Sequence, residues 1–252
     1  MNFDPTYNPF SLVGKTILIT GASSGIGRAT AIECSKLGAT CIITGRNEER
    51  LNETLTQMAG EGHQVIVADI ATQDGIDVLV NQAPNIDGFV NNAGVSGSKP
   101  IKFYKQDDID RIFQTNTFSP MLLLKGLLKK KKINDNGSIV FISSVAAYNS
   151  TLGNGIYGSS KAALASYMRY CARELAPKNI RSNSIHPGMV DTPFIHGGSL
   201  SEADLQMDMK RYPLGRYGKT EEVAYMIIYL LSNASAWVTG TSMIIDGGMS
   251  MK

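Results

Sequence analysis

The stretch TGASSGIG, Thr20–Gly27, decides the fold. It follows the apolar run KTILIT (15–20), which has the composition of a buried strand, and it leads into a helical pattern. In a dinucleotide-binding turn, Gly21 would permit the tight bend, Gly25 would let a pyrophosphate approach the backbone, and Gly27 would let the helix pack closely on the strand. The free N–H groups of the helix N-terminus favour phosphate. We therefore predict a nucleotide-binding strand–turn–helix unit whose glycine motif, Gly-x-x-x-Gly-x-Gly, is one residue longer than the common fingerprint.

Short apolar runs and longer helical patterns alternate along the rest of the chain. The predicted strands cover residues 15–20, 40–44, 64–68, 87–91, 138–143, 180–185 and 242–246. The predicted helices cover residues 25–37, 47–59, 73–82, 106–130, 155–176 and 220–232, and Gly38 stands where the first helix should end. Most of the strands are apolar on both faces, which indicates a parallel sheet covered on both sides. The pattern predicts an α/β fold: a Rossmann-type, doubly wound, seven-stranded parallel sheet in a three-layer αβα arrangement.

We expect one domain over residues 10–252, preceded by an arm over residues 1–9. The segment at about 188–218 has no clear periodicity, and a loop of that length in a compact domain is usually functional. We expect it to be a mobile lid over the substrate. Its apolar side chains suggest an adaptable surface; they are Phe194, Ile195, Leu200, Leu205, Met207 and Met209.

Composition excludes several classes of protein. The chain has 252 residues, 43% of them hydrophobic, and a net charge of +2. This charge is too small to create a positive electrostatic potential over the whole surface that would attract nucleic acid. Three scattered cysteines form neither a Cys-x-x-Cys pair nor a His/Cys cluster, so we predict no metal site and no disulfide framework. The first ten residues lack the apolar core of a signal peptide, and no run is long enough to span a membrane. The expectation is a cytoplasmic protein without membrane or nucleic-acid partners.

Tyr157 and Lys161 stand four residues apart in YGSSK, so on a helix they share a face. A neighbouring positive charge favours the phenolate, and we expect Lys161 to lower the pKa of Tyr157 and make it a proton donor or acceptor. Ser144 ends a predicted strand, where open α/β sheets place their ligands. Asn116 lies in an otherwise apolar helix face, where a buried amide needs a partner.

Three motifs in this order resemble the classical short-chain dehydrogenases/reductases: TGASSGIG, NNAG (Asn91–Gly94) and Tyr157-x-x-x-Lys161. The resemblance covers about residues 10–248 and is nearest to bacterial 3-oxoacyl-[acyl-carrier-protein] reductases. It implies a catalytic tetrad of Asn116, Ser144, Tyr157 and Lys161, acting on a carbonyl or secondary alcohol with NAD(P)(H). Lys161 would also hold the nicotinamide ribose, and Asn116 would hold a water that links Lys161 to solvent. Relatives are mostly tetramers, so a homotetramer is expected.

The resemblance also implies a set of cofactor contacts. Four segments would line the cofactor from one end to the other. They are the glycine turn, the end of the third strand, the NNAG motif and the later motif HPGMVDTPF. The implied residues, besides Tyr157 and Lys161, are Gly21, Ser23, Ser24, Gly25, Ile26, Gly27, Arg46, Asp69, Ile70, Asn92, Ala93, Gly94, Pro187, Gly188, Val190 and Thr192. Asn91 has a second interpretation, as a hydrogen-bonding residue at the end of its strand.

The end of the second strand favours NADP(H), with NAD(H) still possible. An acidic residue there would bond the ribose 2′-hydroxyl, but the chain has Gly45 followed by Arg46, whose guanidinium can meet a 2′-phosphate. Some NADP-using relatives also carry a basic residue in the glycine turn, where this chain has Ser23 and Ser24. Arg46 could also be an ordinary surface residue.

Several alternatives stay open. The substrate could be a sugar, a polyol or a hydroxysteroid instead of a 3-oxoacyl group, and the fold could serve a non-catalytic nucleotide-binding sensor or scaffold. The basic run LLKKKK (125–132 region) fits a helix C-terminus, or a docking patch for an acyl carrier protein with Arg169, Arg173 and Lys178. His186 is either an additional acid or a structural residue.

Overall fold

A computed structural model describes residues 7–196 and 202–251, without the side chains of Phe194, His196, Glu202 and Ala203. Seven strands are present in the described part of the chain. They are β1 (Thr16–Thr20), β2 (Thr40–Gly45), β3 (Gln64–Val67), β4 (Ile86–Asn91), β5 (Ile133–Ile142), β6 (Arg181–Pro187) and β7 (Ser242–Ile245). Each predicted strand is found, because apolar runs of this length can be buried on both faces only inside a covered sheet.

Helices follow the strands. They are α1 (Gly25–Lys36), α2 (Glu48–Leu55), α3 (Gln73–Gln82), α4 (Gln106–Phe113), α5 (Ser119–Lys129), α6 (Gly155–Leu175), α7 (Pro193–His196), α8 (Glu202–Met209) and α9 (Thr220–Leu231). Side-chain caps fix two of the starts: Asn47 accepts a hydrogen bond from the Arg50 N–H before α2, and Thr72 accepts one from the Gly75 N–H before α3. Gly38 has φ of 88° and follows α1, which confirms it as the glycine that ends this helix.

The sheet order is β3-β2-β1-β4-β5-β6-β7, and all the pairs are parallel. The first strand lies beside both β2 and β4, so the chain winds away from β1 in two directions. Between the carboxyl ends of β1 and β4 the flanking connections diverge, and such a crevice is where open α/β sheets bind ligands. The glycine turn follows β1, and the NNAG motif begins at the end of β4.

Two apolar layers enclose the sheet. One packs the fully buried Phe89 and Phe141 of the sheet against α3, α5 and α6, and the other packs Ile19 and Val140 against α1, α2 and α9. A third, small cluster lies in the segment predicted as the lid. The predicted three-layer αβα fold is therefore confirmed.

Three details differ from the sequence-based expectations. The helix predicted over 106–130 is divided by a π-helical segment, Gln114–Phe118, between α4 and α5. The fifth strand begins five residues before the predicted 138, at Ile133, because Ile133 pairs with Ile86 across the sheet. The segment 188–218 contains α7 and α8, which its irregular pattern did not indicate; Leu200 and the Gly197–Gly198 pair lie outside the described residues.

Of the predicted arm, residues 1–6 also lie outside the described part. Pro9 contacts the body of the domain, because its carbonyl accepts a hydrogen bond of 3.0 Å from the Ala234 N–H. No helix within 7–196 and 202–251 is both long and apolar enough to cross a membrane.

Candidate active site

The glycine turn has the geometry that its sequence predicts. Gly21 and Gly25 have φ of 67° and 55°, a region that favours glycine. A Cβ atom at Gly27 would lie 2.3 Å from the Gly21 carbonyl oxygen, so no side chain fits there. Helix α1 starts without a side-chain cap from Ser24. Its first N–H groups are therefore available to an anion at the mouth of the turn.

Asn92 and Thr20 brace this turn. The Asn92 side-chain amide donates to the carbonyl oxygens of Thr20 and Gly21, at 3.0 and 3.2 Å. In return the Thr20 hydroxyl accepts the backbone N–H groups of Asn92 and Ala93, at 3.0 and 3.1 Å. The NNAG motif thus holds the glycine turn as well as facing the crevice. The amide of Asn91, in contrast, is buried without a hydrogen-bond partner, so bonding at the strand end does not explain this residue.

The residues predicted to meet the nucleotide 2′-position are next to the glycine turn. Arg46 is exposed just beyond β2, and Ser23 and Ser24 are partly exposed in the turn. A Cβ atom at Gly45 would lie 3.5 Å from the Ser23 hydroxyl oxygen, an ordinary contact. Gly45 is therefore not required by packing. Ser23 and Gly45 lie together, and the Arg28 guanidinium beside them donates to the Ser23 carbonyl at 2.8 Å and to the Glu53 carboxylate at 2.9 Å.

Two residues of the predicted cofactor set direct their side chains into the core. Ile70 is 6% exposed and belongs to the apolar layer that contains Phe89 and Phe141. Val190 is 6% exposed and belongs to the layer on the other side of the sheet. Asp69 is partly exposed, and its carboxylate accepts the Ala71 N–H at 3.0 Å. Ile70 and Val190 stay predicted neighbours of the adenine and the carboxamide, and in this structure their side chains pack in the core.

The HPGMVDTPF motif approaches the glycine turn from the other side. A Cβ atom at Gly25 would lie 3.2 Å from the Thr192 methyl group, so Thr192 stands directly over the turn. Pro187 is the buried last residue of β6, and the N–H of Gly188 donates to the Ile245 carbonyl at 3.0 Å. Gly188 also packs on Asp246, where a Cβ atom would come within 2.9 Å of the Asp246 Cβ.

Ser144 and Tyr157 meet at the carboxyl end of β5. Their hydroxyl groups are hydrogen-bonded, and the Ser144 oxygen also accepts the Ala146 N–H at 3.1 Å. Burial raises the pKa of Tyr157, and the bond from Ser144 partly offsets this rise. The expected lowering of the Tyr157 pKa by Lys161 is therefore wrong for this structure, since desolvation of the phenolate dominates.

Lys161 lies beneath Tyr157 and is 4% exposed. Its ammonium donates to the Ile142 carbonyl oxygen at 2.8 Å and lies 5.9 Å from the centre of the Tyr157 ring. The two residues share one face of α6, as their spacing predicts. Burial lowers the pKa of Lys161 to about 8. An ammonium with this pKa can gain or lose a proton near neutral pH.

Asn116 lies in the π-helical segment and is 1% exposed. Its side chain exchanges two hydrogen bonds with the Val95 backbone, at 2.8 and 2.9 Å, and donates to the Ser160 hydroxyl at 3.0 Å. A Cβ atom at Gly94 would lie 3.2 Å from the Asn116 amide oxygen and 3.3 Å from the Lys161 nitrogen. All four residues of the predicted tetrad are thus in one site.

Comparison with known proteins agrees with this geometry. A family model described as Enoyl-(Acyl carrier protein) reductase, of the short-chain dehydrogenase type, matches residues 21–250. The chain belongs to the short-chain dehydrogenase/reductase family.

Relatives within this short-chain dehydrogenase/reductase family match almost the whole chain. A 3-oxoacyl-[acyl-carrier-protein] reductase from Thermotoga maritima is 36% identical over 247 residues, which cover 94% of this chain and 98% of the relative. A tropinone reductase homolog from Arabidopsis thaliana is 34% identical over 249 residues, covering 96% and 94%. The solved structure of a short-chain dehydrogenase/reductase from Serratia marcescens has a TM-score of 0.87 at 32% identity, covering 96% of this chain and 100% of that one. The protein is accordingly an oxidoreductase that acts on carbonyl or CH–OH groups.

Short-chain dehydrogenases/reductases use a nicotinamide cofactor, and the crevice fits one. The positive φ of Gly21 and the close contact between Gly27 and the Gly21 carbonyl exclude side chains from the turn, and the uncapped start of α1 offers N–H groups to a pyrophosphate.

Sequence reasoning missed Thr20 and Ser160. The Thr20 hydroxyl organises the NNAG motif, and the Ser160 hydroxyl links the Asn116 amide to the Tyr157 carbonyl, to which it donates at 2.7 Å. Thr20 was detectable as a hydroxyl in the last position of an apolar strand. No signal in the sequence separates Ser160 from its neighbour Ser159.

Proposed function

We propose that this protein is an NADP(H)-dependent ketoreductase whose substrate is a 3-oxoacyl group, carried by an acyl carrier protein. The observation that carries the proposal is the hydrogen bond between the Ser144 and Tyr157 hydroxyl groups directly above the buried Lys161 ammonium. A non-catalytic nucleotide sensor would have no use for such an arrangement.

Carbonyl reduction needs a hydride on carbon and a proton on oxygen, and a bound nicotinamide supplies the hydride. Tyr157 donates the proton in reduction and accepts it in the reverse direction, as a general acid and base. Its raised pKa keeps the phenol protonated at neutral pH, as an acid must be. Ser144 donates a hydrogen bond to the substrate oxygen as negative charge develops there.

Lys161 has two tasks in this proposal. Its ammonium bonds the cofactor ribose, and its low pKa lets it pass a proton to Tyr157 after each turnover. Asn116 orders the 94–95 backbone next to Lys161. Its amide oxygen has a second lone pair, which can accept a hydrogen bond from a water molecule between the Asn116 and Lys161 side chains. That water would connect Lys161 to solvent.

The preference for NADP(H) rests on Arg46 and Gly45. The exposed guanidinium can form a charge-assisted pair with a 2′-phosphate, and no carboxylate at position 45 repels that phosphate. Ser23 offers a hydroxyl to the same group. The remaining cofactor contacts are proposed as predicted.

The acyl-carrier-protein substrate is supported by the names of several relatives and by exposed positive charge. Lys129 and Lys130 at the C-terminal end of α5, and Arg169 and Arg173 in the C-terminal part of α6, are all exposed. An acidic carrier would be attracted to such a surface. The segment 188–218 is proposed to face the substrate, because Thr192 stands over the glycine turn and the Tyr212 hydroxyl accepts the Met189 N–H at 3.2 Å.

A substrate panel tests this function. The protein would be mixed with NADPH or NADH and with 3-oxoacyl thioesters, simple ketones, tropinone-like ketones, sugars and hydroxysteroids, while cofactor absorbance is followed. Faster reduction of 3-oxoacyl thioesters with NADPH supports the proposal. A preference for a small cyclic ketone would favour the second candidate class, to which the Arabidopsis relative points. Cofactor binding with no turnover of any substrate would favour a sensor.

A further inference from the structure

His186 is a fully buried histidine next to the tetrad, in the polar row Ser182, Ser184 and His186 on one face of β6. A row of polar side chains inside a core costs free energy unless every group is bonded. Ser182 donates to the Met168 carbonyl of α6, which accounts for the first member. The hydrogen bonds of the other two lead to Ser144.

The imidazole makes contacts on both of its nitrogen atoms. Nδ1 lies 3.1 Å from the carbonyl oxygen of Ser144, and Nε2 lies 2.8 Å from the Ser184 hydroxyl and 3.4 Å from the Tyr148 hydroxyl. The Ser184 hydroxyl in turn lies 3.0 Å from that of Ser242 on β7. The Tyr148 ring packs on the imidazole, with 4.8 Å between the ring centres and 34° between their planes.

These contacts fix the tautomer of His186. A backbone carbonyl can only accept a hydrogen bond, so Nδ1 must carry the proton that bonds Ser144. In the neutral ring Nε2 is then an acceptor, and the Ser184 hydroxyl donates to it. Ser184 can still accept a hydrogen bond from Ser242. Every polar atom of the row is satisfied in this one arrangement.

The Ser144 carbonyl is the natural point from which to control its side chain. Ser144 has extended backbone angles, φ −166° and ψ 155°, at the point where the chain leaves β5 for a short 3₁₀ turn. Within that turn the Ser144 carbonyl accepts the Ala147 N–H at 3.0 Å, and the His186 imidazole is a second partner that comes from the neighbouring strand. The two hydrogen bonds together limit the rotation of this peptide plane, and the bond from His186 ties it to the sheet.

We propose that His186 is a positioning residue for Ser144. Its Nδ1–H holds the Ser144 carbonyl so that the serine hydroxyl stays within hydrogen-bonding distance of the Tyr157 hydroxyl and of the substrate oxygen. The proposal rests on the function proposed above, since it assigns a role within that reaction. Burial lowers the pKa of His186, so the ring is neutral at pH 7 and does not act as an additional acid.

Two substitutions separate the two sides of the ring. The amide nitrogen of an asparagine can occupy the position of Nδ1, so His186→Asn keeps a donor for the Ser144 carbonyl. The longer glutamine reaches the position of Nε2, so His186→Gln keeps the Ser184 and Tyr148 side and loses the donor to Ser144. We expect His186→Gln to lower kcat by at least about tenfold, with the affinity for NADPH unchanged, and His186→Asn to retain most of the activity. His63→Gln, on a histidine remote from the site that bonds the Cys41 N–H, is the matched control.

A double substitution shows whether the effect passes through Ser144. In a Ser144→Ala background there is no hydroxyl to position, so adding His186→Gln should cause little further loss of kcat. Equal losses in both backgrounds, or equal losses from His186→Asn and His186→Gln, would mean that the histidine only supports packing and would overturn the proposal.

A spectroscopic measurement tests the same geometry without turnover. The chain has three histidines, so ¹⁵N spectra of histidine-labelled wild-type protein, assigned with His63→Gln and His196→Gln, should show one neutral ring with a slowly exchanging Nδ1–H. An Nε2–H tautomer for His186 would contradict the proposal even if the protein reduces ketones. A wild type with the Nδ1–H tautomer but no ketone reductase activity would instead contradict the proposed function.

Discussion

The ammonium of Lys161 donates a hydrogen bond of 2.8 Å to the carbonyl of Ile142 and is almost completely shielded from water. This hydrogen bond is with a neutral dipole, while the charge itself has lost its hydration. This explains why burial lowers the pKa of Lys161 to about 8. The site holds a charge that the fold does not favour.

Removing that charge should stabilise the protein. The pKa of Lys161 is about 8 when folded and ~10.4 when unfolded, so burying the protonated form costs free energy at pH 7. Lys161→Met should raise the free energy of unfolding at pH 7 by on the order of 1–3 kcal/mol while abolishing activity. Because the unfolded wild type binds the extra proton between about pH 8 and ~10.4, wild-type stability should rise with pH there and approach that of the variant.

Urea unfolding at pH 7 and pH 10 measures this effect. Lys129→Met, an exposed lysine at the end of α5, is the control and should change little. A destabilised Lys161→Met protein at pH 7 would mean that the bond to the Ile142 carbonyl outweighs the desolvation cost.

Tyr157→Phe removes one hydroxyl and keeps the ring. If Tyr157 is the general acid, turnover should fall by ~10²–10⁴-fold with cofactor affinity preserved. Steady-state rates and fluorescence titration with NADPH measure the two quantities. Tyr170→Phe, on an exposed tyrosine of the same helix, should leave both unchanged. Nearly full activity in Tyr157→Phe would remove the phenol from the mechanism.

Arg46→Ala should weaken NADPH binding and leave NADH binding unchanged. A charge-assisted contact with phosphate contributes about 1.5–3 kcal/mol, which corresponds to a loss of affinity of roughly 10–150-fold. Arg50→Ala, on the next exposed arginine, is the control. Equal wild-type affinities for the two cofactors, measured by calorimetry, would show that Arg46 is an ordinary surface residue.

Gly45→Asp tests the same preference from the opposite direction. An added Cβ atom meets only ordinary contacts at 3.5 Å and beyond, so the fold should accept the substitution. The new carboxylate would repel a 2′-phosphate and could bond a 2′-hydroxyl, so the ratio of kcat/KM for NADPH to that for NADH should fall by at least about tenfold. An unchanged ratio would place the 2′-position elsewhere.

Gly27→Ala should damage the glycine turn itself. The added methyl group would lie 2.3 Å from the Gly21 carbonyl oxygen and 2.5 Å from the Asn92 amide nitrogen, so the turn must shift. We expect a loss of about 1–3 kcal/mol in unfolding free energy together with weaker binding of both cofactors. Gly45→Ala is the matched control because its Cβ has room. Thermal unfolding with and without cofactor gives both results, and unchanged values for Gly27→Ala would disprove the close contact.

The parts of the site that were predictable are those encoded within a few residues. The glycine turn, the face shared by Tyr157 and Lys161, and the position of Ser144 at a strand end all follow from local pattern. The contacts of Ser160 with Asn116 and of His186 with Ser144 depend on how α6 packs on the π-helical segment and how β6 pairs with β5. Such partners have no signature in a single sequence.

The error in the pKa of Tyr157 has a physical origin. This pKa was predicted from the charged neighbour Lys161 alone, whereas the loss of water around the phenol is the larger effect. Burial, which decides this case, is a property of the folded chain.

The brace between Asn92 and the glycine turn has a consequence for binding kinetics. Thr20, Gly21 and Asn92 are held by hydrogen bonds within the protein, so the entropy of ordering this turn is lost once, when the chain folds. A ligand that enters meets N–H groups already oriented, and its association involves no loop rearrangement at this end. Association and dissociation of the cofactor should then each be single-exponential, and the dissociation rate sets how long the cofactor stays bound.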